Sequence, residues 1–144
     1  MGKWGYKPFE NDTAADFSGD LDEAHESERL GLLWAALSAV AASDGHVDAG
    51  RAEVAIAAAA VVARGFPDGE QFQSAVCGPM QSIPPVSSDF VTLAVRAVNR
   101  LLDGDNDLSD DWSGEPEGEH WNGNLRRLGR ILSGEQEDSP EGLW

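Results

Sequence analysis

Cys77 is the only cysteine, so no disulfide can form within the chain. That sparing use of cysteine suits a reducing compartment, and a cytoplasmic location is expected. Basic charge is scarce as well. Ten Lys and Arg stand against 26 Asp and Glu, a formal net charge of −16. Such a field repels phosphate backbones and anionic lipid surfaces, so neither direct nucleic-acid binding nor membrane binding is expected. No apolar run is long enough for a bilayer. Leu30–Ala42 and Ala52–Ala63 fall short of the roughly 20 residues a spanning helix needs. Lys3 is followed by polar and aromatic residues, unlike a secretory leader. The Met-Gly start has Tyr6 where a myristoylation signal needs Ser or Thr. Phosphate loops, dinucleotide fingerprints and Gly-x-Ser-x-Gly elbows are all missing.

Alanine and helical periodicity are abundant. Hydrophobic residues make up 41% of the 144, enough for a packed core. Asn11 or Asp12 caps a first helix reaching about Leu21. Leu30, Leu33, Trp34, Leu37 and Val40 recur at helical spacing within 26–42, and small residues fill the opposite side. Apolar almost all round, this helix is expected to lie buried between neighbours. Asp48 caps a third helix ending near Arg64, whose Ala57–Ala60 run suits a central position. Gly, Pro and Ser punctuate 65–87, with room for a short helix at 70–76. A fourth helix follows from Ser87 or Ser88 to about Asp103, and a last one spans about 119–132. Residues 103–119 read as an acidic connection. No internal repeat is evident. The expected fold is all-α, a single compact bundle of about five helices over 1–134, with an irregular aromatic N-terminal segment and a flexible acidic tail at 135–144.

The carboxylates are segregated. Glu10, Asp12, Asp16, Asp20, Asp22, Glu23, Glu26 and Glu28 lie between Lys7 and Arg29 with no basic residue among them. Asp103, Asp105, Asp107, Asp110, Asp111, Glu115, Glu117 and Glu119 do the same between Arg100 and Arg126. Solvated connections are one explanation. The other is an acidic face for a basic protein, with Asp103, Asp105, Asp107, Asp110, Asp111 and Glu115 as candidate binding residues.

The opening residues carry the most specific pattern. Met1-Gly2-x-Trp4-Gly5, then Phe9-Glu10-Asn11-Asp12, then Asp16, is similar to the start of the small bacterial proteins grouped as domain of unknown function 4259. Asn106-Asp107-Leu108 with Trp112 resembles a second, looser motif of that family, and Glu53–Ala63 its alanine-rich helix. The resemblance implies a compact helical fold. It transfers no catalytic residue, and Trp4, Gly5, Phe9, Asn11, Asp12 and Asp16 enter as a structural signature. Short acidic bacterial proteins of this kind resemble immunity or accessory proteins.

Other chemistries find partial support. Asp103, Asp105, Asp107, Ser109 and Asp111 fall on the odd positions of a calcium loop. Leu108 stands where the sharp-turn Gly belongs, and Gly114 where the bidentate Glu belongs. A calcium module using 103–111 is therefore an alternative function. His25, His46 and His120 show no zinc-ligand spacing, so no metal or cofactor is expected, and His46 is placed in an exposed turn. Cys77 has no adjacent base. Asp12 and Asp16, four apart on one helix face, leave a third reading: an enzyme with an N-terminal aspartate site beside Trp4. The leading expectation is a non-enzymatic, immunity- or inhibitor-like protein that binds a basic partner.

Overall fold

The computed structural model describes residues 11–43, 45–66 and 86–134. Expectations for Trp4, Gly5, Phe9, Cys77, the 70–76 helix and the 135–144 tail lie outside these residues. Within them the chain forms α1 (Asp12–Glu23), α2 (Glu26–Ala41), α3 (Ala49–Ala63), α4 (Ser88–Leu102), α5 (Asp107–Trp112) and α6 (Gly118–Leu132). The all-α bundle is as the periodicity implies, with one short helix more.

Side-chain caps start four of these helices. Asn11 Oδ1 accepts from the Ala14 N–H at 2.7 Å, and Asp48 from Arg51 N–H at 3.2 Å. Ser87 Oγ accepts from Phe90 N–H at 3.3 Å, and Asn106 Oδ1 from Ser109 N–H at 2.7 Å. Each satisfies an amide that the first helical turn leaves without a partner. The elbow between α1 and α2 is closed by Arg29, whose Nε donates to the Leu21 carbonyl at 2.9 Å.

Helix α3 is the hub, touching each of the other five helices. From Ala55 to Ala63 every residue is buried. The alanines bring neighbouring helix backbones close on all sides, and Ile56, Val61 and Val62 fill the wider gaps. Around α3 lie Leu33, Leu37 and Val40 of α2, Phe90, Ala94, Val98 and Leu101 of α4, and Leu125, Leu128 and Leu132 of α6.

Helix α2 departs from expectation. Its stripe at Leu33, Ala36, Leu37 and Val40 is buried, but Gly31, Leu32, Trp34, Ala35 and Ala39 are exposed. A face of glycine and alanine offers little area to bury, so packing on α3 and α4 through one side suffices. Trp34 rests edge-on against Phe90, with ring centroids 5.3 Å apart.

Helix α5 lies inside the stretch read as a connection. Six residues are too few for a period to register, and half of them are Asp. It forms because Asn106 caps it while Leu108 and Trp112 bury against the core. No helix among the described residues is long and apolar enough to cross a membrane.

Candidate functional site

Two helix-to-helix turns meet at one end of the bundle. One joins α2 to α3 and carries Asp44-Gly45-His46-Val47-Asp48; the other joins α4 to α5 and carries Asp103-Gly104-Asp105-Asn106-Asp107. They run side by side in parallel, paired at Val47 and Asn106. Val47 N–H donates to the Asp105 carbonyl at 3.2 Å, and Asp107 N–H donates to the Val47 carbonyl at 2.9 Å. The shared Asp-Gly-x-x-Asp pattern is the trace of this pairing in the sequence. Five residues are too short to stand out as a repeat.

Each turn has a buried centre, since Val47 and Asn106 are both fully enclosed. Asn106 uses its whole amide. Nδ2 donates to the carbonyls of Leu101 (3.1 Å) and Gly104 (3.2 Å), while Oδ1 caps α5. The backbone turns through two left-handed residues, Gly104 (φ 89°) and Asp105 (φ 61°). Asp is among the few side-chain-bearing residues that adopt this region readily. Arg100 ties the two turns together. It donates from Nη1 to the Gly104 carbonyl at 2.9 Å, from Nη2 to the Gly45 carbonyl at 2.5 Å and from Nε to the Ser43 carbonyl at 3.5 Å. Its guanidinium also stands 3.9 Å from Asp105.

His46 lies in an exposed turn, as expected, but it is not isolated. Nδ1 is 2.8 Å from Asp105 and Nε2 is 2.6 Å from Asp107. Both ring nitrogens face carboxylate oxygens, an arrangement satisfied by the doubly protonated imidazolium. The hydrogen bond to Asp105, then that to Asp107, raises the His46 pKa above 6.5. The same bond holds Asp105 below 3.8. Spacing along the chain misses this contact, because 59 residues separate His46 from Asp105. The matching Asp-Gly patterns are the signal that could have found it.

The calcium-loop expectation meets a different geometry. From Asp107 onward the backbone is helical, so Asp107, Ser109 and Asp111 do not wrap around a common centre. Among the described residues, His46, Asp107 and Asp110 do bring one donor atom each within 4.8 Å of one another, all exposed. One imidazole and two carboxylates suit a divalent transition metal better than calcium. A metal there would have to displace the His46–Asp107 hydrogen bond.

Of the candidate binding residues, Asp103, Asp105, Asp107, Asp110, Asp111 and Glu115 are all exposed, as are Glu117 and Glu119. Beside them, between the end of α4, α5 and the start of α6, lies a cleft of about 500 Å³. Leu102, Trp112 and Trp121 supply its apolar wall; Ser109, Glu115, Glu119 and Asn122 supply its polar groups. The two indoles stack with centroids 6.1 Å apart and planes within 10°. Gly118 sets the approach of α6 here. A Cβ at that position would collide with the Trp112 carbonyl oxygen. Trp112 and Trp121 lie on different helices, so no local pattern in the sequence marks this cleft.

At the other acidic block, Asn11 is a nearly buried cap, while Asp12 and Asp16 are exposed on α1. Trp4 lies outside the described residues. The cleft at α4, α5 and α6 is thus at a different place from the proposed aspartate pair.

Comparison with known proteins agrees with the family that the resemblance suggested. Residues 2–124 match the model of the domain of unknown function family DUF4259, and the chain belongs to that family. No curated protein and no solved structure matches it significantly.

Proposed function

We propose that this family member is a non-enzymatic binding protein that engages a basic protein partner through the acidic surface of residues 103–119, in the manner of an immunity or inhibitor protein. One observation carries the proposal. All eight carboxylates between Arg100 and Arg126 are exposed, along a stretch that runs from the end of α4 through α5 to the start of α6. A solvated connection needs no such segregation, whereas a steering surface does. Like-signed charge on one face speeds encounter with an opposite partner and makes association salt-dependent. At about 0.15 M salt the field of an exposed charge decays over about 8 Å, so the partner must come close to this face.

The calcium alternative draws less support, since helix α5 removes the loop that would enclose the ion. The N-terminal aspartate enzyme draws less again, because Asp12 and Asp16 stand exposed on a helix surface.

The test is capture from a native-host extract with the intact chain and with a variant carrying Asp110→Asn, Asp111→Asn, Glu115→Gln and Glu117→Gln. A basic protein should be recovered by the intact chain at low ionic strength, released by salt, and lost with the variant. Equal recovery by both chains, or recovery indifferent to salt, would overturn the proposal.

A further inference from the structure

The geometry points to the cleft between α4, α5 and α6 as the anchor site for a single arginine side chain of the basic partner. This rests on the acidic-surface proposal and names the group that surface is built to seat. The cleft combines what a guanidinium needs and a simple charge patch lacks. Trp121 is half-buried and backed by the buried, nearly parallel ring of Trp112. An indole face attracts a cation through its quadrupole, and the flat guanidinium stacks on it more fully than an ammonium. Leu102 closes the apolar side, against which the methylene stem of an arginine packs. Glu115 and Glu119 supply carboxylates in the same cleft, and Asn122 an amide oxygen, matching the several N–H donors of one guanidinium.

Two features of the chain keep the site for an outside cation. Arg100, two residues before Leu102 of the cleft wall, is committed to the carbonyls of Ser43, Gly45 and Gly104. No Lys or Arg is among the residues that line the cleft. The volume of about 500 Å³ accommodates a long side chain with water around it.

The experiment follows the indole N–H resonances of Trp112 and Trp121 in the full chain during titration with three six-residue peptides. They are end-capped and identical except for the central residue, which is arginine, lysine or the uncharged citrulline. The arginine peptide should shift both resonances in a saturable way. The lysine peptide should bind about fivefold more weakly, and the neutral citrulline isostere should leave the resonances unmoved. The double variant Glu115→Gln, Glu119→Gln changes only exposed side chains, and its spectrum otherwise reports an intact fold. It should weaken the arginine peptide by about fivefold or more. Equal shifts with citrulline, or no shift with arginine, would overturn the inference. A polyarginine peptide serves as the separate control for the acidic surface. If it binds in a salt-dependent way without moving the tryptophan resonances, the acidic surface stands and the arginine anchor falls. If it fails to bind at low salt, the acidic-surface proposal falls too.

Discussion

The two Asp-Gly turns have the same pattern and the same place in the fold, yet opposite chemistry holds their centres. In the α2–α3 turn the enclosed residue is Val47, which fills space. In the α4–α5 turn it is Asn106, whose amide serves the carbonyls of Leu101 and Gly104 and the N–H of Ser109. The difference follows from what each turn must launch. Helix α3 is fifteen residues long, carries its own Asp48 cap and packs on every neighbour, so its turn needs only a hydrophobic plug. Helix α5 is six residues long, too short to persist without help, and its turn must both cap it and satisfy the end of α4.

This contrast can be broken in order of expected effect. Asn106→Ala removes the α5 cap and leaves the buried Leu101 carbonyl without that amide. Loss of about 3 kcal/mol is expected in chemical denaturation. A loss below about 1 kcal/mol would mean that the turn holds without its amide. Val47→Ala on the other side deletes two enclosed methyl groups and should cost about 2 kcal/mol. The two turns would prove interchangeable if Val47→Asn and Asn106→Val were both tolerated. Both should instead destabilise, one by burying an unsatisfied amide and the other by orphaning carbonyls.

Arg100→Lys tests the tie between the turns. Lysine keeps the charge but cannot reach three carbonyls with a planar fork, and about 1.5 kcal/mol of stability should go. Amide hydrogen exchange should rise in the 45–48 and 104–107 backbone before it rises in α3. Uniform protection across both turns would deny Arg100 that role.

The smallest effect belongs to His46. Its folded pKa is raised by Asp105 and Asp107, so its contribution is fully present below about pH 6.5 and disappears as pH rises through the higher folded value. Asp105 is held low by the same contact. Its share is present above pH 3.8 and disappears as pH falls through the lower folded value. The clamp is therefore strongest between those limits. The groups are exposed, so the effect is a modest tilt. Melting curves should show the native chain losing stability from pH 5 to pH 8 relative to His46→Gln. Parallel pH profiles would remove the clamp.

Much of this was legible along the chain. Asn11, Asp48 and Ser87 announce helix starts because a cap is a local interaction over three residues. The stripes of α4 and α6 are visible because 3.6-residue periodicity is local too. The family suggested by resemblance is the one whose model matches residues 2–124, and Asn106, Leu108 and Trp112 have a physical role in the fold. They are the cap and the buried face of α5. The acidic residues 103–119 were found as a block, and their exposure accords with the charge count. What the sequence could not decide concerns residues far apart in the chain. Whether both sides of α2 were covered depended on how many neighbours packed on it, and the answer left Leu32 and Trp34 open. The meeting of His46 with Asp105 and Asp107, and of Trp112 with Trp121 across a cleft, arose only when α3 drew the other helices onto one core. Local sequence determined the five longer helices, the caps of α1, α3 and α4, and the charge. The tertiary structure decided which side chains meet, because a contact between elements depends on the packing of everything between them.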